Sequence, residues 1–151
     1  ISKIIFIKQE TDFKEKIIIM KNIFFSILIP SYHSEVFINE TVENVLTQGD
    51  DVLEILICDQ ADTNSKSVIK NCKKVSFFYQ EIPSTFLARK KLIENAKGDY
   101  LLFLDSDDLL HPKTIEILKK AILETGKMDV YKYKIQTFET APVFEKDFIC
   151  M

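Results

Sequence analysis

The chain has 151 residues, 46% of them apolar, which is enough for one domain with a buried core and too little for two. A formal charge of -3 leaves no basic surplus for sequence-independent binding of nucleic acid or an anionic membrane. Cys58, Cys72 and Cys150 are an odd set without CxxC spacing, which argues against a disulfide framework and a cysteine zinc site and fits a reducing cytoplasm.

The chain starts at Ile1 and its first methionine is Met20. Residues 1–19 read as an N-terminal extension, either upstream sequence or an edge strand carried by "KIIFI", and residues 20–151 as the domain. Lys21 and Asn22 interrupt the apolar stretch from Ile17 to Ile29. No run therefore reaches the roughly 18 to 20 residues of a spanning helix, and membrane contact is at most peripheral.

"IFFSILI" (23–29) is an apolar, β-rich run that halts at Pro30, as a buried parallel strand does. A helix follows, with Ile38, Val42, Val45 and Leu46 on one face and Gly49 as its stop. "VLEILIC" (52–58) is the second strand, trailed by polar "DQADTNS" and a weaker helix around residues 67–71. "VSFFYQ" (75–80) is the third, and Pro83 opens a helix that Gly98 closes after Leu92, Ile93 and Ala96. "YLLFL" (100–104) is the fourth. Pro112 takes the first position of a helix with Ile115, Leu118 and Ile122 inward and Gly126 as its stop, before a fifth strand in "DVYKYKI" (129–135). Strand and helix alternating at this spacing predict an α/β domain, a mainly parallel sheet with helices on both faces. The chain ends on "DFICM" without a cap, and truncation of the domain at the C-terminus is expected.

Ligands of open parallel sheets bind beyond the carboxyl ends of the strands. Strand one ends in Pro30, Ser31, Tyr32 and His33, strand two in Asp59, and strand four in Asp105, Ser106, Asp107 and Asp108. If the backbone stays extended past Leu104, Asp105 and Asp107 point to one side. Two carboxylates there suit Mg²⁺ or Mn²⁺, which bind through one or two protein carboxylates plus substrate phosphates. The plainer alternative is a solvated acidic loop ahead of the helix at Pro112, where carboxylates are favoured.

"FSILIPSYHSEVFINETVENVLTQ", "LEILICDQADTNS" and "LARKKLIENAKGDYLLFLDSDD" together resemble the N-terminal, nucleotide-sugar-binding part of family 2 inverting glycosyltransferases. The resemblance runs from about Phe25 to Ile122 and implies a Rossmann-like GT-A fold, a cation (Mn²⁺ or Mg²⁺), a nucleoside-diphosphate sugar donor, foremost a UDP-sugar, and a glycan or lipid-linked acceptor. It also implies that Pro30 and Tyr32 line the base and ribose pocket, with Ser31 between them, and that Asp59 and Gln60 face the nucleoside. The resemblance places Arg89 near the diphosphate as an expectation. By the same resemblance Asp105 and Asp107 would be the DxD pair around Ser106, one on the ribose and one on the metal, with Asp108 as an alternative ligand.

The family usually has Asp, Gly and Ser where this chain has Gln60, Ala61 and Asp62, and Asn where it has His33 and Lys90. Glu145 and Asp147 are the only carboxylates near the end, and a frayed terminus explains them better than a role as the general base of inversion. His111 reads as a residue leading into the helix at Pro112. Two other classes compete. An aspartyl phosphatase or phosphotransferase also places DxD after an apolar strand, though normally the first. A donor-binding fragment without the acceptor half would bind nucleotide without turnover.

Overall fold

The computed structural model describes residues 3–7, 23–70, 72–125 and 130–133. All seven residues of strand β2 (Phe25–Ser31) are buried, as a strand covered on both faces requires. Strands β3 (Val52–Gln60) and β5 (Tyr100–Phe103) flank it in parallel, and β4 (Val75–Gln80) extends the sheet beyond β3. With β1 (Lys3–Ile7) and β6 (Val130–Tyr133) the order is β4-β3-β2-β5-β1-β6.

Alternation along the strands divides the core between two layers. Phe25, Ile27 and Ile29, with Ile55, Ile57, Leu102 and Leu104, pack on α1 (Ile38–Leu46) through Ile38, Val42 and Val45, and on α3 (Thr114–Thr125) through Ile115, Leu118 and Ile122. Leu28, Leu56, Cys58, Leu101 and Phe103 face the other way, against Ala88, Leu92 and Ala96 on and just past α2 (Thr85–Asn95). The expected mainly parallel sheet with helices on both faces is the fold. Among the described residues no helix is long and apolar enough to cross a membrane.

Several local expectations change. "KIIFI" pairs antiparallel with β5 on one side and β6 on the other, so it is an interior strand, not an edge. The expected strand in 129–135 is present at Val130–Tyr133 and is also antiparallel; residues 129, 134 and 135 lie outside the described residues. The helix placed around 67–71 is a single 3₁₀ turn, Ser65–Ser67, because that segment lacks an apolar stripe to bury. Pro112 precedes α3, which starts at Thr114, and α2 starts at Thr85 with Ser84 as its N-cap rather than at Pro83. Leu46 and Ile93, assigned to inward faces, are partly exposed. The stop at Gly126 and the end at 147–151 lie outside the described residues.

Gly98 has a different role from a helix stop. A Cβ there would stand 2.5 Å from the Ser26 nitrogen and 2.9 Å from the Phe25 carbonyl carbon. Its N–H donates to the Ser26 hydroxyl at 2.8 Å, and that hydroxyl donates to Glu54 at 2.7 Å. The turn into β5 thus lies against β2 at a distance only glycine permits. Gly98→Ala is expected to destabilise the domain by about 2 kcal/mol or more, because backbone rather than a movable side chain blocks the new methyl. Urea denaturation checks this, and an unchanged midpoint would sink it.

Candidate functional site

Beyond the carboxyl ends of β2, β3 and β5 lies an open cleft of about 300 Å³. Pro30, Tyr32, His33, Ser34 and Phe37 form its wall on the β2 side, Gln60 and Thr85 close one end, and Asp105, Ser106 and Asp107 stand on the β5 side. Tyr32 and His33 lie with ring centroids 4.2 Å apart, presenting two adjoining rings. Of the expected site residues, Pro30, Tyr32, Gln60, Asp105, Ser106 and Asp107 meet in this cleft. Ser31, Asp59, Arg89 and Asp108 are not among its lining residues.

The backbone does not stay extended after β5. Leu104 keeps one ladder bond, to the Leu28 carbonyl at 3.0 Å, and the chain then turns, with the Asp108 N–H donating to the Asp105 carbonyl at 3.1 Å. Asp105 and Asp107 share the cleft because of that turn, not because of strand alternation, and the turn takes Asp108 out of the lining. Helix α1 holds this loop. The Thr41 hydroxyl donates to the Ser106 carbonyl at 2.9 Å, and Asn44 pairs with both backbone groups of Leu110, donating at 3.0 Å and accepting at 2.7 Å. Gln48 donates to the His111 carbonyl at 3.0 Å and accepts from the Ile115 N–H at 3.3 Å. The spacing i, i+3, i+7 of these polar residues was the available signal, and the apolar face of the same helix drew attention away from it. His111 leads into α3, its Nδ1 accepting from the Lys113 N–H at 3.3 Å.

Arg89 reaches Asp105 from α2, its guanidinium 3.1 Å from Oδ1 and 5.6 Å from the centre of the Phe103 ring, while its Nε is buried without a hydrogen-bond partner. Its charge therefore sits on one carboxylate of the pair. Gln60 is a strut: its carbonyl accepts from the Ser84 N–H at 2.8 Å and its amide donates to the Ser31 carbonyl at 3.4 Å, tying the start of α2 to the end of β2.

Asp59 is buried beneath the cleft. One carboxylate oxygen accepts from the Ser65 N–H at 3.0 Å, the other lacks a partner, and the Ser31 hydroxyl joins those of Ser34 and Ser65 at 2.6 and 2.7 Å. Burial pushes the Asp59 carboxyl up from its ordinary value, against the pull of the Ser65 and Ser31 hydrogen bonds. Among the described residues no group of three or more His, Cys, Asp or Glu could hold a metal by itself. A cation held by the two cleft carboxylates would need further oxygen ligands, from water or a bound molecule.

The profile of Glycosyl transferase family 2 matches residues 26–146. The chain belongs to that family. It is 37% identical over 105 residues to an uncharacterized glycosyltransferase of Rickettsia felis, a match covering 67% of this chain and 17% of the relative. It is 27% identical over 106 residues to the glycosyltransferase GlyA of Streptococcus pneumoniae, covering 66% of this chain and 15% of that protein. The chain thus spans well under half the length of these relatives. The crystal structure of S. aureus TarS 1–349 superposes with a TM-score of 0.57 at 22% identity, covering 68% of this chain and 33% of that one, and supports the same fold. TarS 1–349 was also solved in complex with UDP-GlcNAc, and that structure superposes with a TM-score of 0.55.

His33 and Ala61, which stand where the sequence resemblance implies Asn and Gly, lie on strained backbone, with φ of 50° and 52° in the left-handed region that Asn and Gly tolerate best. His33 is held by its N–H to the Thr63 hydroxyl at 2.8 Å and by Nε2 at 3.5 Å from Asp62. Ala61 is held by its N–H to the Gln80 carbonyl at 3.0 Å. Ala61→Gly is expected to raise stability by about 0.5–1 kcal/mol, net of the extra entropy glycine loses on folding. A lower melting temperature would overturn this.

Asp59 sets a pH trend. A raised folded-state pKa means that the native protein binds this proton more tightly than the unfolded chain. Its stabilising contribution is complete below the ordinary value of 3.8 and is lost as pH rises through the raised value. Asp59→Asn abolishes the titration and keeps an acceptor for the Ser65 N–H. Wild type is expected to lose stability relative to this variant as pH rises from the ordinary value of 3.8 through the raised one. Chemical denaturation across that range checks it, and a gap that is flat or moves the other way would refute the assignment.

Proposed function

We propose that this chain binds a nucleoside-diphosphate sugar, foremost a UDP-sugar, together with Mn²⁺ or Mg²⁺, and forms the donor side of a cytoplasmic transferase. The transferase moves the sugar with inversion to a hydroxyl on a glycan or lipid-linked acceptor. The observation that carries this reading is the single cleft in which an aromatic wall, Tyr32 and His33, stands with a turn bearing Asp105 and Asp107. A flat base and ribose suit the rings, and a diphosphate suits a cation held by carboxylates.

Asp107 is the principal metal ligand in this reading, because the carboxylate of Asp105 is already partly neutralised by Arg89. Asp105 is then left for the ribose and for sharing the cation. Asp108 is the weaker candidate, being outside the cleft lining. The cation supplies charge neutralisation for the departing diphosphate. Thr85, the first residue of an eleven-residue helix, lines the cleft and brings the positive end of α2 to it. Asp59 and Ser31 support the nucleoside pocket from beneath. Tyr32 and Pro30 cover the base.

Inversion requires a base that takes the acceptor's hydroxyl proton as its oxygen attacks the anomeric carbon opposite the diphosphate. Glu145 and Asp147 lie outside the described residues, and no other residue is assigned that role. Val36, Ile82 and Phe86 are 84%, 63% and 74% exposed near the carboxyl ends of the strands. That apolar rim suits an acceptor on a lipid carrier at the inner face of the cell membrane.

Calorimetric titration of UDP with and without Mn²⁺ tests the donor reading. Binding is expected to depend on the metal and to weaken at least about tenfold, about 1.4 kcal/mol, in Asp107→Ala. Metal-independent binding that survives this substitution would refute the assignment of Asp107. Absence of binding to UDP and to other nucleoside diphosphates in folded protein would refute the nucleotide reading as a whole.

A further inference from the structure

After β5 the chain runs from Asp105 to His111 outside the strand ladders of the described residues, yet Leu110 is only 3% exposed. Backbone N–H and C=O groups beside a buried side chain must find partners or lose the free energy of their hydration. Among the described residues, side chains on α1 and just past its end supply several of them. Asn44 presents a carboxamide whose oxygen and nitrogen meet the N–H and C=O of Leu110, the two bonds a neighbouring strand would have made. Thr41, three residues earlier, takes the Ser106 carbonyl between the two cleft aspartates, and Gln48, four residues later, brackets the start of α3.

We propose that Asn44, assisted by Thr41, is a positioning residue for the acidic turn. It sets where Asp105 and Asp107 stand in the cleft without touching the donor or the cation. The functional consequence rests on the metal-dependent nucleotide reading given above, whereas the positioning itself does not. The side chain's chemistry is specific. Aspartate lacks the donor, alanine lacks both groups, and glutamine is one methylene too long to pair with the same peptide groups from the same helix position. Thr41 acts on the turn itself, because its hydroxyl fixes the carbonyl of the residue flanked by the two carboxylates.

The test compares Asn44→Ala and Thr41→Val with Val45→Ala, a core truncation on the same helix that lowers stability without addressing the turn. The first readout is the gain in UDP affinity that Mn²⁺ confers. Asn44→Ala and Thr41→Val are expected to reduce that gain at least about tenfold while leaving metal-free UDP binding within about twofold, and Val45→Ala is expected to keep the gain. An equal loss in all three variants, or a retained gain in Asn44→Ala, would overturn the proposal.

The second readout is amide hydrogen exchange, which needs no ligand. In Asn44→Ala the amides of Asp108 and Leu110 are expected to exchange at least about tenfold faster than in Val45→Ala, with β2 and β3 alike in the two. Equal exchange across 105–111 would overturn the positioning role. If Asn44→Ala does not fold, Thr41→Val, nearly isosteric and confined to one hydroxyl, decides both readouts. Failure of wild type to bind any nucleotide with metal would sink the nucleotide reading alone, and the exchange comparison would still decide the positioning role.

Discussion

A chain leaving a buried parallel strand loses the ladder that satisfied its peptide groups, and the cleft depends on how this one regains partners. The segment from Asp105 to His111 turns away from the strand direction, and the turn sets Asp105 and Asp107 in one cleft with the aromatic residues after β2. Water cannot serve Leu110, which is buried. The side chains of α1 take that place. Since α1 is fixed to the sheet through Ile38, Val42 and Val45, the turn inherits the rigidity of the core.

Electrostatics then decides how the turn can be used. Two carboxylates a residue apart repel each other, and a lone acidic pair would be unwelcome beside a half-buried cleft. Arg89 relieves part of this by pairing with Asp105 from α2 while its guanidinium lies near the Phe103 ring. Asp107 lines the cleft beside Asp105. The ends of β2 and α2 are fixed to each other by Gln60, so the cation that meets Asp105 comes from an element whose start is tied to the aromatic wall. Three strand ends therefore act as one unit, although each contributes only a few side chains.

The same mouth contains the backbone strain of the domain's described part. His33 and Ala61 both occupy the left-handed region, and Thr63, Asp62 and Gln80 hold them there. Strain of about 1–2 kcal/mol per residue persists only where surrounding contacts over-determine the geometry. The loop 61–64 that follows β3 is therefore held to a defined shape next to β2.

The repeated pattern of apolar runs and 3.6-residue stripes determined the strands, the helices, their alternation and hence the parallel sheet, because burial on two faces leaves a mark that is local in sequence. The ordered blocks from Phe25 onward likewise carried the family, and strand ends such as Pro30, Tyr32, Asp105 and Asp107 marked the rim. What the tertiary structure alone decided is how distant residues divide the work. Asp59 went beneath the cleft and Arg89 onto Asp105, Gly98 served a close approach to Ser26, and "KIIFI" became an interior strand. Asn44 and Leu110 are 66 positions apart, and no local period records that one satisfies the backbone of the other. Hydrophobic periodicity reports which side of an element is buried, whereas hydrogen-bond partners across such separations depend on how the elements dock.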